Sequence, residues 1–359
     1  MSGTDRRGRS TAFLVNSVCA ALVLAGLLAT GEISVRTFGP KPDEGRYHDM
    51  IPGSPRRYGL TPGGTGIVGG EPLLVNSFGM RDHEYALNKS PRTFRIALLG
   101  DSYTFGVGVP LSATFGKLLE ESLNMSDAGR RYEVMNFGVS GYNTVQELAT
   151  LRESAARFAP DLVLVAYYLN DTEGPGDESE RQLRRRIGWW KAGLVRIRVS
   201  LKRHSRLMAW LMHQGIILVR SITHVEHLSD IDFDRRFADE AEGWQRSRTA
   251  LEEMKQVADS LHSRMFLVLI PLLVNTNDQY RYRDAHERIL SYCAEIEVPS
   301  CDLLDAFMGL EAKRLRVSYL DPHLNEQAHR LAAAWIEKSM REQSCLPPGA
   351  VEESAGPHG

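Results

Sequence analysis

RIALLGDSYTFGVGV, residues 95–109, decides how the rest of the chain is read. Four apolar residues, Ile96 to Leu99, stop at Gly100, and Ser102 follows two positions later. A short unbroken apolar run marks a strand covered on both faces. A Gly-Asp-Ser turn at its carboxyl end puts a hydroxyl where the ligands of parallel sheets bind. Taken alone, Ser102 reads most simply as a helix N-cap. To act as a nucleophile it needs a base and a site for the developing oxyanion elsewhere in the chain.

Beyond this stretch, strands and helices alternate. Strands are predicted at 94–99, 132–139, 161–169, 265–272 and 300–306, and helices at 112–124, 144–159, 234–262, 283–296 and 324–342. This alternation predicts a parallel five-stranded sheet with helices on both faces. The polar candidates fall at carboxyl ends of strands: Ser102 after the first, Gly138 and Ser140 after the second, Asn170 and Asp171 after the third. Asp321 and His323 precede the last helix. His323 is the candidate base and Asp321 its orienting carboxylate, with Pro322 stiffening the turn between them. The candidate oxyanion donors are the Ser102 and Gly138 amides and the Asn170 side chain. Each residue has a plainer reading as a turn or cap; the ordered set does not.

These blocks resemble the SGNH/GDSL hydrolase superfamily, the GDSL lipases and esterases. Gly100-Asp101-Ser102 matches its first block and "NFGVSG", with Gly138, its second. Tyr168-Leu169-Asn170-Asp171 matches the third in part, and Asp321 with His323 the last. The resemblance covers about residues 93–343, apart from an inserted middle. It implies a flavodoxin-like three-layer α/β/α sandwich and serine ester hydrolysis or acyl transfer, with no metal or cofactor. Three positions depart from the pattern. Tyr168 replaces a glycine of the third block, Asp321 and His323 are separated by one residue rather than two, and Gln327-Ala328 replaces a glycine.

The N-terminus reads differently. Arg6, Arg7 and Arg9 precede residues 11–31, which carry no charge, and about 20 apolar residues cross a bilayer as a helix. The positive-inside rule then leaves residues 1–37 as a cytoplasmic stub and single-pass anchor, with the body extracytoplasmic. A cleaved signal peptide is the competing reading, but Leu27-Leu28-Ala29 is a poor cleavage site. Residues 38–92, rich in Gly and Pro, read as a linker and lead-in. The hydrolase-like domain then runs over 93–345, and 346–359 is a disordered tail. Within that domain, 174–233 is a basic helical insertion with Trp189 and Trp190. It reads as a cap, a membrane-seeking segment or a solvated basic face. Cys293 and Cys301 are either paired or buried free thiols.

The net charge of −2 offers no footprint for nucleic acid. The expected function is a membrane-anchored serine esterase for O-acylated, above all O-acetylated, cell-envelope or exopolysaccharide sugars. Its expected partners are the membrane and envelope polysaccharide machinery. An O-acyltransferase using the same serine and a non-catalytic envelope scaffold are the alternatives.

Overall fold

A computed structural model describes residues 3–38, 45, 47–127, 129–172, 205, 207–208, 211, 233–319 and 321–348, with side chains of the first helix described from residue 16. It divides into two units, 1–41 with 181–226, and 42–180 with 227–359. In the first, helix α1 (Gly3–Phe38) contains a stretch, Asn16–Phe38, long and apolar enough to be a membrane anchor or signal sequence. The basic insertion lies almost wholly outside the described residues, as do 349–359 of the expected tail.

The second unit carries β1 (His48–Ile51), β2 (Arg57–Leu60), β3 (Thr65–Val68), β4 (Glu71–Leu74), β5 (Thr93–Gly100), α2 (Ser102–Phe105), α3 (Phe115–Ser126), β6 (Arg131–Asn136), α4 (Thr144–Glu153) and β7 (Leu162–Tyr168). These are followed by α5 (Phe233–Arg236), α6 (Glu242–Ser260), β8 (Arg264–Ile270), α7 (Arg283–Glu295), β9 (Ser300–Asp302), α8 (Leu303–Phe307) and α9 (Glu326–Glu342). Five strands form one parallel sheet in the order β6-β5-β7-β8-β9. The central strands are apolar without a break because helices cover both faces: α3 packs on α9, and α4 on α6. Ile96, Leu98 and Leu99 are fully buried, each worth about 1.5–3 kcal/mol relative to an exposed side chain. After β5 the chain pairs β6 on one side and then crosses to β7 on the other. The carboxyl ends of β5 and β7 therefore bound a topological switch point, the crevice where such sheets bind ligands.

The linker expected at 38–92 is folded over 47–92. β1–β2 and β3–β4 are antiparallel hairpins, and the second turns on Gly69 and Gly70, both at positive φ. A two-residue Gly-Gly turn has the twist a hairpin requires. Leu60, Val68, Leu73 and Val75 bury against Phe105, Val139 and Tyr142, so this lead-in has its own core beside the end of α2. The strand expected over 300–306 stops at Asp302, whose side chain accepts the Leu304 amide and starts α8. The helix expected over 234–262 is two pieces, α5 and α6. Cys293 and Cys301 are buried free thiols, and Leu346 of the expected tail is buried in the main core.

His329 of α9 is buried and accepts the Phe115 amide at Nδ1, 3.1 Å away. Burial, with Arg81 and His323 nearby, lowers its pKa from 6.5 to about 3. The unfolded chain therefore takes up this proton first as pH falls. The stability contributed by neutral His329 is complete above about 6.5 and is lost toward 3, at up to about 1.4 kcal/mol per pH unit. In denaturant titrations from pH 7 to 4, His329→Gln, which keeps an acceptor for Phe115, is expected to lose stability less steeply than wild type.

Candidate active site

The turn that carries Ser102 is held by what surrounds it. A Cβ on Gly100 would lie 2.1 Å from Thr104 Oγ1, so only glycine lets the chain fold back on itself here. Asp101 is fully buried and caps α2, its Oδ1 accepting the Tyr103 amide at 2.8 Å. Ser102 is the first residue of α2, and the first amide of a helix has no intrahelical acceptor. After four residues α2 ends at Gly106, φ 82°. The buried Arg81 guanidinium donates to the carbonyls of Phe105 (2.9 Å), Gly106 (2.5 Å) and Val109 (2.8 Å). Burial lowers its pKa to about 10, which leaves it charged at neutral pH.

The segment before α9 brings His323 to Ser102. His323 Nε2 lies 2.8 Å from Ser102 Oγ, and Nδ1 lies 2.5 Å from Asp321 Oδ1. The same Oδ1 accepts the His323 backbone amide at 3.1 Å. The carboxylate thus bonds the backbone two residues on, as in an Asx-turn, and reaches the ring of that residue as well. This accounts for how a single intervening residue suffices. With Nδ1–H given to Asp321, Nε2 is the acceptor for the Ser102 hydroxyl. Burial raises the Asp321 pKa, but the hydrogen bonds and charge of His323 outweigh it and hold the carboxyl below its usual value. The loop is pinned by Val317 N–H on the His323 carbonyl (2.9 Å) and by Asn325 Nδ2 on the carbonyls of Arg314 (2.7 Å) and Arg316 (3.1 Å). The Tyr103 ring packs on the His323 ring at 4.9 Å and on the Tyr168 ring at 4.4 Å. Tyr168 thus fills space that a glycine would leave empty.

Asn170 follows β7 and donates from Nδ2 to Asp101 Oδ2, 3.3 Å away. One further N–H remains on that nitrogen. Gly138 departs from expectation. Its amide donates to Asn136 Oδ1 at 2.9 Å, which takes it out of the set of free oxyanion donors. Gly138 is instead required for packing, because a Cβ there would lie 2.6 Å from Phe105 N at the end of α2. Just beyond, Val139 N–H bonds the Gly100 carbonyl, and a turn from Val139 to Tyr142 closes with a 3.1 Å bond. Gly141, at φ 80°, sits in its third position, where a type II turn demands glycine. Among the described residues the amides of Ser140 and Gly141 donate to no acceptor. The sequence signal for them was the Ser-Gly of "NFGVSG". Among the described residues no group of three His, Cys, Asp or Glu side chains is arranged to hold a metal.

The family model described as GDSL-like Lipase/Acylhydrolase matches residues 98–331. A search of curated proteins found no match. Solved structures similar to the chain include TesA, at 16% identity over 69% of this chain and 98% of that one, TM-score 0.42. Axe2, an acetylxylan esterase from Geobacillus stearothermophilus, matches at 15% identity over 69% and 94%, TM-score 0.42. A two-domain esterase active on acetylated mannans matches at 13% identity over 73% and 53%, TM-score 0.43.

The packing at Gly138 yields a direct expectation. Gly138→Ala forces α2 away from the 137–141 loop, at a cost of about 1–3 kcal/mol typical of overpacking. Thermal unfolding and ester hydrolysis are both expected to suffer. A variant that melts and turns over like wild type would show that this contact does not hold the turn.

Proposed function

The chain belongs to the GDSL-like lipase/acylhydrolase family and is a serine hydrolase, and from that premise we propose that Ser102 is its nucleophile, His323 its general base and Asp321 the group that orients His323. One observation carries this reading: the unbroken chain from Ser102 Oγ to His323 Nε2 at 2.8 Å and from His323 Nδ1 to Asp321 at 2.5 Å. Ser102 Oγ attacks the ester carbonyl while His323 takes its proton. The oxyanion is received by the Ser102 amide, the second N–H of Asn170 and an amide of the 140–141 turn. Collapse expels the alcohol, protonated by His323, and leaves an acyl-serine. His323 then deprotonates water, which attacks the acyl carbonyl and releases the acid and free Ser102.

The substrate we propose is an O-acetyl ester on a cell-envelope or exopolysaccharide sugar. The support is positional. With Arg6, Arg7 and Arg9 ahead of it, an anchoring α1 would leave the catalytic unit outside the cytoplasm, where such polymers lie.

A fluorophosphonate probe is expected to label the detergent-solubilised full chain, and Ser102→Ala to abolish labelling while melting like wild type. The same substitution is expected to lower kcat for a simple acetyl ester by about 10³-fold or more. Acetate release from an acetylated envelope polysaccharide, tracking Ser102, would support the substrate. Turnover of acetyl esters without release from any such polymer would point to another alcohol component.

A further inference from the structure

Asp101 stands next to the nucleophile, yet the reaction as written does not use it. Its two oxygens face two donors. Oδ1 takes the Tyr103 amide at 2.8 Å and Oδ2 the Asn170 side-chain nitrogen at 3.3 Å. The other end of Asn170, Oδ1, is buried and has no partner among the described residues. A side-chain amide can lie either way round in its slot, and its hydrogen-bond partners decide which. Among the described residues the nitrogen end alone finds one, and that partner is a carboxylate, which as an anion only accepts.

We propose that Asp101 is a positioning residue that fixes the orientation of the Asn170 amide, so that the second N–H of Asn170 remains a donor to the substrate oxyanion. The inference rests on Asn170 being an oxyanion donor. Turned over, Asn170 would aim its own oxygen at the Asp101 carboxylate and lose a charge-assisted bond. The oxyanion would then meet a lone pair instead of a proton.

Burial raises the Asp101 pKa to about 6, against the lowering effect of the Tyr103 amide, His323 and Asn170. The titratable groups that face it are His323 from the loop before α9, Glu147 from α4, Tyr58 from β2, Tyr103 from α2 and Tyr168 from β7. Protonated, Asp101 becomes a donor on one oxygen and its hold on Asn170 weakens. Activity therefore loses a second proton-dependent requirement below about pH 6, besides the neutral His323 that a general base must be.

The test compares wild type, Asp101→Asn, Asn170→Ala and the double variant as full chains hydrolysing p-nitrophenyl acetate, with thermal unfolding on each. In Asp101→Asn the new side chain can still cap Tyr103 through its oxygen, which turns its NH2 group toward Asn170 and favours the flipped amide. Expected is a fall in kcat of about 10²-fold, the scale of losing one oxyanion donor, with KM within about threefold. Asn170→Ala is expected to fall similarly, and the double variant no further than Asn170→Ala, because Asp101 acts only through Asn170. Losses that multiply in the double variant would overturn the inference, as would an Asp101→Asn enzyme with wild-type kcat beside a crippled Asn170→Ala. An Asn170→Ala enzyme of full activity would instead overturn the oxyanion reading on which it rests. One arm does not depend on Asp101→Asn folding. Below about pH 6, kcat/KM is expected to fall with a steeper proton order in wild type than in Asn170→Ala, and equal orders would overturn the inference.

Discussion

The 2.8 Å contact between Ser102 and His323 joins residues 221 positions apart, and most of the fold exists to make that distance short. Ser102 rides on the end of the first sheet strand, and His323 on the loop that opens the last helix. They meet because α9 packs on α3 over one face of the sheet, and because His329, one turn into α9, accepts the amide of Phe115 at the start of α3. The loop before α9 is then held at the carboxyl edge by Asn325, whose oxygen caps the helix while its nitrogen ties back to Arg314 and Arg316. Helix packing sets the approach, and the Asx-turn at Asp321 sets the ring.

The other side of the site is secured by buried charge from a segment with no strand of the main sheet. Arg81 collects three carbonyls at and beyond the end of α2. Asp82, beside it, accepts the Asn136 amide at 2.9 Å and pairs with Lys117 at 2.9 Å. Arg95, 1% exposed, spends its guanidinium on Glu133 and on the carbonyls of Ala86, Leu87 and Phe158. Asp82 and Arg95 are each paired with an opposite charge, and Arg81 is met by three carbonyl dipoles, which offsets the cost of burial. Removing one partner would leave the other buried and uncompensated, so residues 81–87 hold the sheet edge and the turn at Ser102 together.

The sheet was legible because strands covered on both faces leave a one-dimensional mark: unbroken apolar runs at 96–99, 162–168 and 265–270. Residues 47–92 left no such mark. Their strands are four residues long and only half buried, and the glycines that read as slack are the turns. Gly69-Gly70 between two short apolar segments was a hairpin signal, hidden by the other glycines and prolines around it. Of the candidate site, the meeting of Ser102, Asp321 and His323 was legible from residue types and order. The engagement of the Gly138 amide is not legible, for a different reason. Whether a backbone amide is free depends on which side chain reaches it, and Asn136, two residues earlier, takes this one. Spacing identifies a loop, but hydrogen-bond accounting identifies the donor within it.

The same accounting shows where the molecule tolerates loss. Buried polar atoms without partners are few in folded proteins, yet among the described residues several lie next to the Ser102 turn or are electrostatically linked to it: Thr104 Oγ1, Asn170 Oδ1 and both carboxyl oxygens of Glu147. Burial and the charge of Asp101 raise the Glu147 pKa well above its ordinary value. An ordinary core would replace these groups with apolar ones and gain stability. Here they lie near a carboxylate whose second oxygen accepts from the Asn170 amide, and substituting them would alter the field that Asp101 experiences. A local sacrifice of stability beside a site is expected where geometry has to be fixed before substrate arrives.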